Sequence, residues 1–202
     1  MSGVFRQQPD SLQRLERRTG QAVVVRSDGG ETTVADFVAW ERRGDEWQPF
    51  LAAAAVIGRS GFISAAGKHE GDGGTPTGVY PLSLVFGYSA TAATGMPYRQ
   101  ITADDCWVDD PASPQYNTWV SGKPQAASWE KMLRADGLYR YGVVVEYNTR
   151  PVIAGKGSAI FVHLWRGPGE PTSGCVAVAE VDLLKLIAWL APEKNPVIVI
   201  GD

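Results

Sequence analysis

The chain has 202 residues, 44% hydrophobic and 20% charged, with 19 Lys and Arg against 22 Asp and Glu and a net charge of −3. A chain of this length hides roughly 70% of its unfolded surface and needs no disulfide or metal to hold a core. Its slight acidity argues against a nucleic-acid binder that works through bulk positive charge. The most apolar stretch, Phe50 to Ile57, is far below the roughly 20 residues of a membrane-crossing helix, so no transmembrane segment is expected.

Residues 1–20 read as a helical lead-in. No apolar run of the secretory kind is present there, which leaves open an intracellular protein or one whose leader precedes this numbering. Ser11 to Arg18 is predicted as a short helix with Ser11 as N-cap and Leu12 and Leu15 on one face. Gln21 to Arg26 contains Val-Val-Val and reads as a strand running into a turn at Asp28-Gly29-Gly30. Thr32 to Trp40 and Trp47 to Leu51 follow as strands joined around Gly44-Asp45, while Ala52 to Ile57 fits helix or strand equally. Gly67 to Gly78 is a polar, Gly-rich loop, and Val79 to Leu84 a strand.

Residues 87–124 are irregular and rich in Pro, Asp and aromatics, and Gln125 to Arg134 is predicted as a helix. Gly142 to Tyr147 and Ser158 to Trp165 are strands. Glu180 to Leu190 is a helix with Val181, Leu184 and Ala188 on one side and Leu183, Ile187 and Leu190 beside them, ended by Pro192. Val197 to Ile200 is a last buried strand. No repeat or long linker splits the chain, so residues 21–202 are expected to form one mostly-β domain with a few helices.

The residues that carry chemistry are few. The two histidines, His69 and His163, and two cysteines, Cys106 and Cys175, are spaced too widely for a structural zinc site, and a Cys106–Cys175 disulfide stays open. His163 shares a strand face with Phe161 and Trp165; alone it reads as a core histidine. The turn-rich stretch from Arg166 to Pro171 then leads to Thr172-Ser173-Gly174-Cys175, and the loop is long enough to fold back onto the end of the strand. Gly174 permits positive φ or close approach, and the N–H groups of Ser173, Gly174 and Cys175 can converge as an oxyanion hole. A thiol beside an imidazole can ionise near neutrality and act as a nucleophile. The plain alternative is a small buried residue. Lys68 and Arg166 are candidates to hold a substrate carboxylate, with a solvated surface cation as the alternative. Trp165 fits a pocket wall or the core, and His69 an exposed loop. The acidic run from Asp104 to Asp110 lacks EF-hand spacing and reads as a solvated loop capped by Trp107.

His163 followed by Thr172-Ser173-Gly174-Cys175 resembles the His-x(n)-Ser/Thr-x-Gly-Cys pattern of the L,D-transpeptidase catalytic domain, the YkuD-like family. Gly71-Asp72-Gly-Gly-Thr75-Pro76-Thr77-Gly78-Val-Tyr80 resembles that family's Thr-Pro-x-Gly-x-Phe/Tyr segment, and Gly58-Arg59-Ser60-Gly61 the Gly-x-x-Gly before it. The resemblance covers roughly residues 21–202. It implies a β-sandwich-like catalytic fold and a cysteine acyltransferase acting on L,D bonds of bacterial peptidoglycan stem peptides, located outside the cytoplasm. Carried over, Cys175 is the nucleophile, His163 the base oriented by a backbone carbonyl, and Ser173 and Gly174 part of the oxyanion hole. No cofactor or metal is implied, and carbapenem-type inhibitors are expected to acylate Cys175. Two positions depart from the common pattern. Ser173 stands where many members have histidine, and Ala177 where many have Arg or Asn, which bears on carboxylate recognition and the acceptor. A hydrolase (L,D-carboxypeptidase or amidase) with the same Cys–His pair, or a non-catalytic cell-wall binding module, are the competing readings.

Overall fold

Two unbroken apolar runs, Ala22-Val23-Val24-Val25 and Val197-Ile198-Val199-Ile200, pair in parallel with Ala22 opposite Val197. Strands that are apolar at every position are covered on both faces, and the whole architecture follows from that double burial.

The computed structural model describes residues 8–27 and 33–201; the turn expected at Asp28-Gly29-Gly30 lies outside them. In chain order these residues form α1 (Asp10–Gln13), β1 (Gln21–Arg26), β2 (Val34–Arg43), β3 (Glu46–Val56), β4 (Phe62–Ile63), β5 (Thr75–Pro76) and β6 (Gly78–Gly87). There follow β7 (Tyr98–Gln100), β8 (Asp105–Val108), β9 (Trp119–Ser121), β10 (Trp129–Lys131), β11 (Tyr141–Val145), β12 (Phe161–Leu164), β13 (Val176–Val178), α2 (Glu180–Trp189) and β14 (Val197–Ile200). The result is a single, mostly-β domain.

The main sheet runs β11-β12-β13-β3-β2-β1-β14-β6-β7, and β11 also pairs with β6. That second pairing joins the sheet to itself, so eight strands make a closed ring with β7 appended to β6. Alternation then sorts the side chains. Val23, Val25, Phe37, Val143, Val162, Val176 and Ile198 belong to one core to which every ring strand contributes, together with Leu183, Leu186, Ile187 and Leu190 of α2. The opposite faces have two separate covers. Ala22, Val24 and Val199 pack under Leu12, Trp40 and Trp47. Val144, Phe86 and Phe161 pack against Trp107 and Met132, which lie in or beside the small sheet β10-β8-β9.

Several expectations are corrected. Of the two readings left open for Ala52 to Ile57 the strand holds, with β3 running through Val56. The first helix stops at Gln13, where the amides of Arg14 and Leu15 bond to Ser11 and Leu12 three residues back, and Arg42 reaches the carbonyls of Leu15 and Glu16 beyond it. Gln125 to Arg134 is not helical. Tertiary bonds claim its backbone: Gln125 N–H donates to Gln115 Oε1, Ala127 N–H to Asp110 Oδ2, and Trp129–Lys131 pairs with β8. The irregular 87–124 segment contains β7, β8 and β9, strands too short for a periodicity to register. In α2 the core-facing stripe is Leu183, Leu186, Ile187 and Leu190, whereas Val181 and Leu184 are exposed; both stripes are apolar, so the sequence pattern alone does not choose.

Phe161 is fully buried and meets Phe86, Trp107 and Tyr139 edge-on. Phe161→Ala is expected to lower stability by about 3–5 kcal/mol, read as a shift of the urea midpoint at unchanged slope.

Candidate active site

The site is set by strand register. β12 and β13 run parallel with Val162 opposite Val176 and His163 opposite Ala177. Cys175 therefore arrives beside Phe161, whose N–H donates to its Sγ at 3.3 Å. Phe161 and His163 share a face of β12, and Cys175 and Ala177 share the matching face of the neighbouring strand. Cys175 and His163 are thus diagonal neighbours on the outer face of the ring. Both line one cavity of about 510 Å³, walled on the far side by the 101–139 segment through Trp129, Glu130, Arg134 and Tyr139.

The three sequence blocks lock together behind the nucleophile. Gly58 N–H donates to Thr75 Oγ1 at 2.8 Å, Arg59 N–H to the Thr172 carbonyl at 2.9 Å, and Thr172 N–H to the Ile57 carbonyl at 2.9 Å. Ser60 N–H reaches the Gly73 carbonyl at 3.1 Å. Within the turn, Thr172 Oγ1 donates to the Cys175 carbonyl and accepts from Gly174 N–H. Gly174 sits at φ +143, and a Cβ there would lie 3.0 Å from the Gly74 carbonyl oxygen, so both conformation and space call for glycine. The Gly174 amide is committed to Thr172 Oγ1.

His163 Nδ1 lies 2.7 Å from the Leu164 carbonyl. That contact assigns the Nδ1–H tautomer and leaves Nε2 as an acceptor. Tyr139 meets the imidazole edge-on at 5.2 Å between ring centres. Burial lowers the His163 pKa to about 4, the Leu164 carbonyl acting the other way. Burial pushes the Cys175 thiol up to about 12, Glu130 adds to this, and the Phe161 N–H, Arg134 and Lys68 oppose it. Both shifts favour a neutral thiol and a neutral imidazole over the charged pair. In this state Sγ donates to the Ala159 carbonyl at 3.1 Å. Ala159 is held at positive φ, its N–H on Asn117 Oδ1.

The other candidates divide. Lys68 is not a solvated cation: it lines the cavity, buried and paired with Asp72 at 2.6 Å, each side chain about 5% exposed or less. Burial works to raise the Asp72 carboxyl, and the amides of His69 and Gly74 with the Lys68 ammonium outweigh it and leave it below the usual range. Arg166 is exposed and bound to Asp136 at 3.2 Å. Trp165 is half-buried on the cavity wall, and His69 is exposed. Ser173 accepts from Arg59 Nη1 at 3.1 Å. Both cysteines are free; Cys106 lies in β8 with its thiol on the Val120 carbonyl. The acidic run is not a solvated loop throughout, because Asp105 is buried and accepts from Ser121, Trp119 and Thr102. Residues 105–108 form β8.

Glu130, Arg134, Tyr139, Asn117 and Arg59 were not legible in the sequence as site residues. Asn117 lies in the irregular 87–124 segment, Glu130 and Arg134 in the stretch read as a helix, and Tyr139 just beyond it. Arg59 sits inside the Gly58–Gly61 block, where its neighbours and not its own type gave the signal.

Residues 30–199 match the model of the L,D-transpeptidase catalytic domain, YkuD, and the chain belongs to that family. Among solved structures it is similar to Bd1075 of Bdellovibrio bacteriovorus, with TM-score 0.47 and 16% identity over 91% of this chain and 48% of that one. It is also similar to the helical cell shape determining protein Pgp2 of Campylobacter jejuni, with TM-score 0.47 and 16% identity over 90% of this chain and 47% of that one. The chain spans about half the length of either. No curated protein matches it in sequence.

Two measurements test this geometry. Gly174→Ala is expected to cost about 1–3 kcal/mol in urea unfolding, because it forces a side chain into a positive φ. A histidine held below its free value of about 6.5 binds fewer protons folded than unfolded. Its share of stability is therefore complete above pH 6.5 and is lost as pH falls toward 4, on the order of 3 kcal/mol. Between pH 7 and 4 the wild type is expected to lose stability that His163→Leu does not lose.

Proposed function

We propose that the protein is a cysteine acyltransferase acting on the L,D bonds of peptidoglycan stem peptides, and hence works outside the cytoplasm. The observation that carries this reading is the diagonal placement of Cys175 and a tautomer-fixed His163 on one cavity, in a chain of the L,D-transpeptidase family.

The pKa values of about 12 and about 4 disfavour a standing thiolate–imidazolium pair. The proton therefore moves as the bond forms. The thiol turns from the Ala159 carbonyl to His163 Nε2, which takes the proton while Sγ attacks the scissile carbonyl carbon. Charge accumulates on the carbonyl oxygen as it meets the amides of Ser173 and Cys175. His163 then gives its proton to the departing amine of the terminal D-residue, which leaves a thioester on Cys175. An acceptor amine attacks the thioester, again with His163 as base, and the new amide departs from the regenerated thiol. With water as acceptor the same steps give a carboxypeptidase.

A second reading is favoured by one observation. The resting thiol is buried and bonded to the Ala159 carbonyl, as an inert cysteine in a cell-wall binding module would be. Product analysis by mass spectrometry separates the readings. Wild type is expected to release a D-amino acid from a stem tetrapeptide; binding without release supports the module.

Cys175→Ala is expected to abolish release with an unchanged unfolding midpoint, and persistence of turnover would overturn the proposal. His163→Ala should cost at least about 10²-fold in kcat/KM. The acid limb of kcat/KM should fall near pH 4 rather than 6.5, because the base works only unprotonated. A carbapenem should add one drug mass to the peptide containing Cys175, and iodoacetamide should react with that thiol slowly at pH 7, since little of it is ionised.

A further inference from the structure

Four cations line the cavity that holds Cys175 and His163: Arg59, Lys68, Arg134 and Arg166. Three are spent. Lys68 is neutralised by Asp72, Arg134 is held between Glu130 and Asp136, and Arg166 shares Asp136.

Arg59 differs. Its Nη1 donates to Ser173 Oγ at 3.1 Å and its Nη2 to the Gly71 carbonyl at 3.3 Å, both neutral acceptors. Among the described residues no carboxylate lies within ion-pair distance of it. Arg59 is exposed, and these two bonds draw its guanidinium across the turn. It lies over Gly73, where a Cβ would come within 2.6 Å of Cζ. A guanidinium has five donors in a planar fork that matches a carboxylate, so donors remain for a ligand. The result is an anchored, uncompensated cation touching the residue that directly precedes Gly174-Cys175.

We propose that Arg59 is the specificity-determining residue that binds the free C-terminal carboxylate of the donor peptide, one residue beyond the bond Cys175 attacks. This rests on the acyltransferase reading above. Ser173, which directly precedes Gly174-Cys175, accepts from Arg59 and so ties the guanidinium to that turn. The consequence is exo-specificity. Only peptides that end in a free carboxylate are donors, and amidated or extended termini are refused.

The test compares a stem tetrapeptide with its C-terminal amide as donors. In parallel, N-acetyl-D-alanine and N-acetyl-D-alaninamide are titrated into Cys175→Ala protein by NMR. A charge-assisted bond predicts a preference for the acid of about 10- to 100-fold in kcat/KM, mostly in KM. Arg59→Gln, with an unchanged unfolding midpoint, should abolish the preference, and Arg59→Lys should retain part of it. An acid preference that survives in Arg59→Gln, or none in wild type, overturns the proposal. If wild type processes neither peptide but the acid probe binds in an Arg59-dependent manner, the acyltransferase reading falls and the carboxylate subsite stands. If the probe does not bind and neither peptide is processed, both fall.

Discussion

The parallel register of β12 and β13 is the constraint on which the site depends. A strand displaced by one residue turns every side chain to the opposite face. Such a slip would send Cys175 into the inner core beside Val162 and leave His163 facing solvent-side space with no nucleophile. Parallel neighbours need a crossover of about a dozen residues, and residues 165–175 supply it without a helix. What fixes that crossover is the Gly58–Gly61 and Gly71–Gly78 blocks, through Ile57, Arg59 and Thr75. Those blocks are therefore the mould of the turn that carries Cys175.

Electrostatics at the site are a balance between burial and a ring of charge. Glu130 raises the thiol, while Arg134 and Lys68 lower it; each of the two cations is itself held by a carboxylate. Paired charges of this kind cost desolvation free energy and return mainly geometry. Here they set the walls of the cavity around Tyr139 and His163 and leave one of its cations, Arg59, without a counter-ion among the described residues. The preference of Cys175 and His163 for their neutral forms follows from the same burial.

How much of this was legible in the sequence follows from where the information is stored. β1 and β14 were readable to the residue, because double burial writes an unbroken apolar run. The order His163, Gly174, Cys175 and the Thr75-Pro76 block were readable because the family pattern is local. The wall of the cavity was not. Strands β8, β9 and β10 are three or four residues each, and their pairing is decided by contacts distant in sequence, as the failed helix at Gln125 to Arg134 illustrates. Lys68 was misplaced for a related reason. Its partner Asp72 lies four residues on in a loop, where no helical period marks the pair, and only the fold shows that both are buried.

The second pairing of β11 has a consequence for where the sheet is open. The ends of the ladder meet, and β7, three residues long, is appended to β6. β13 meets β3 only at Ala55 and Val56, so among the described residues Glu46 to Ala54 of β3 is paired on one side alone, with β2. None of those residues lines the cavity that holds Cys175 and His163. A strand added to the sheet there and a molecule entering that cavity would therefore meet different parts of the protein, backbone in the first case and side chains in the second.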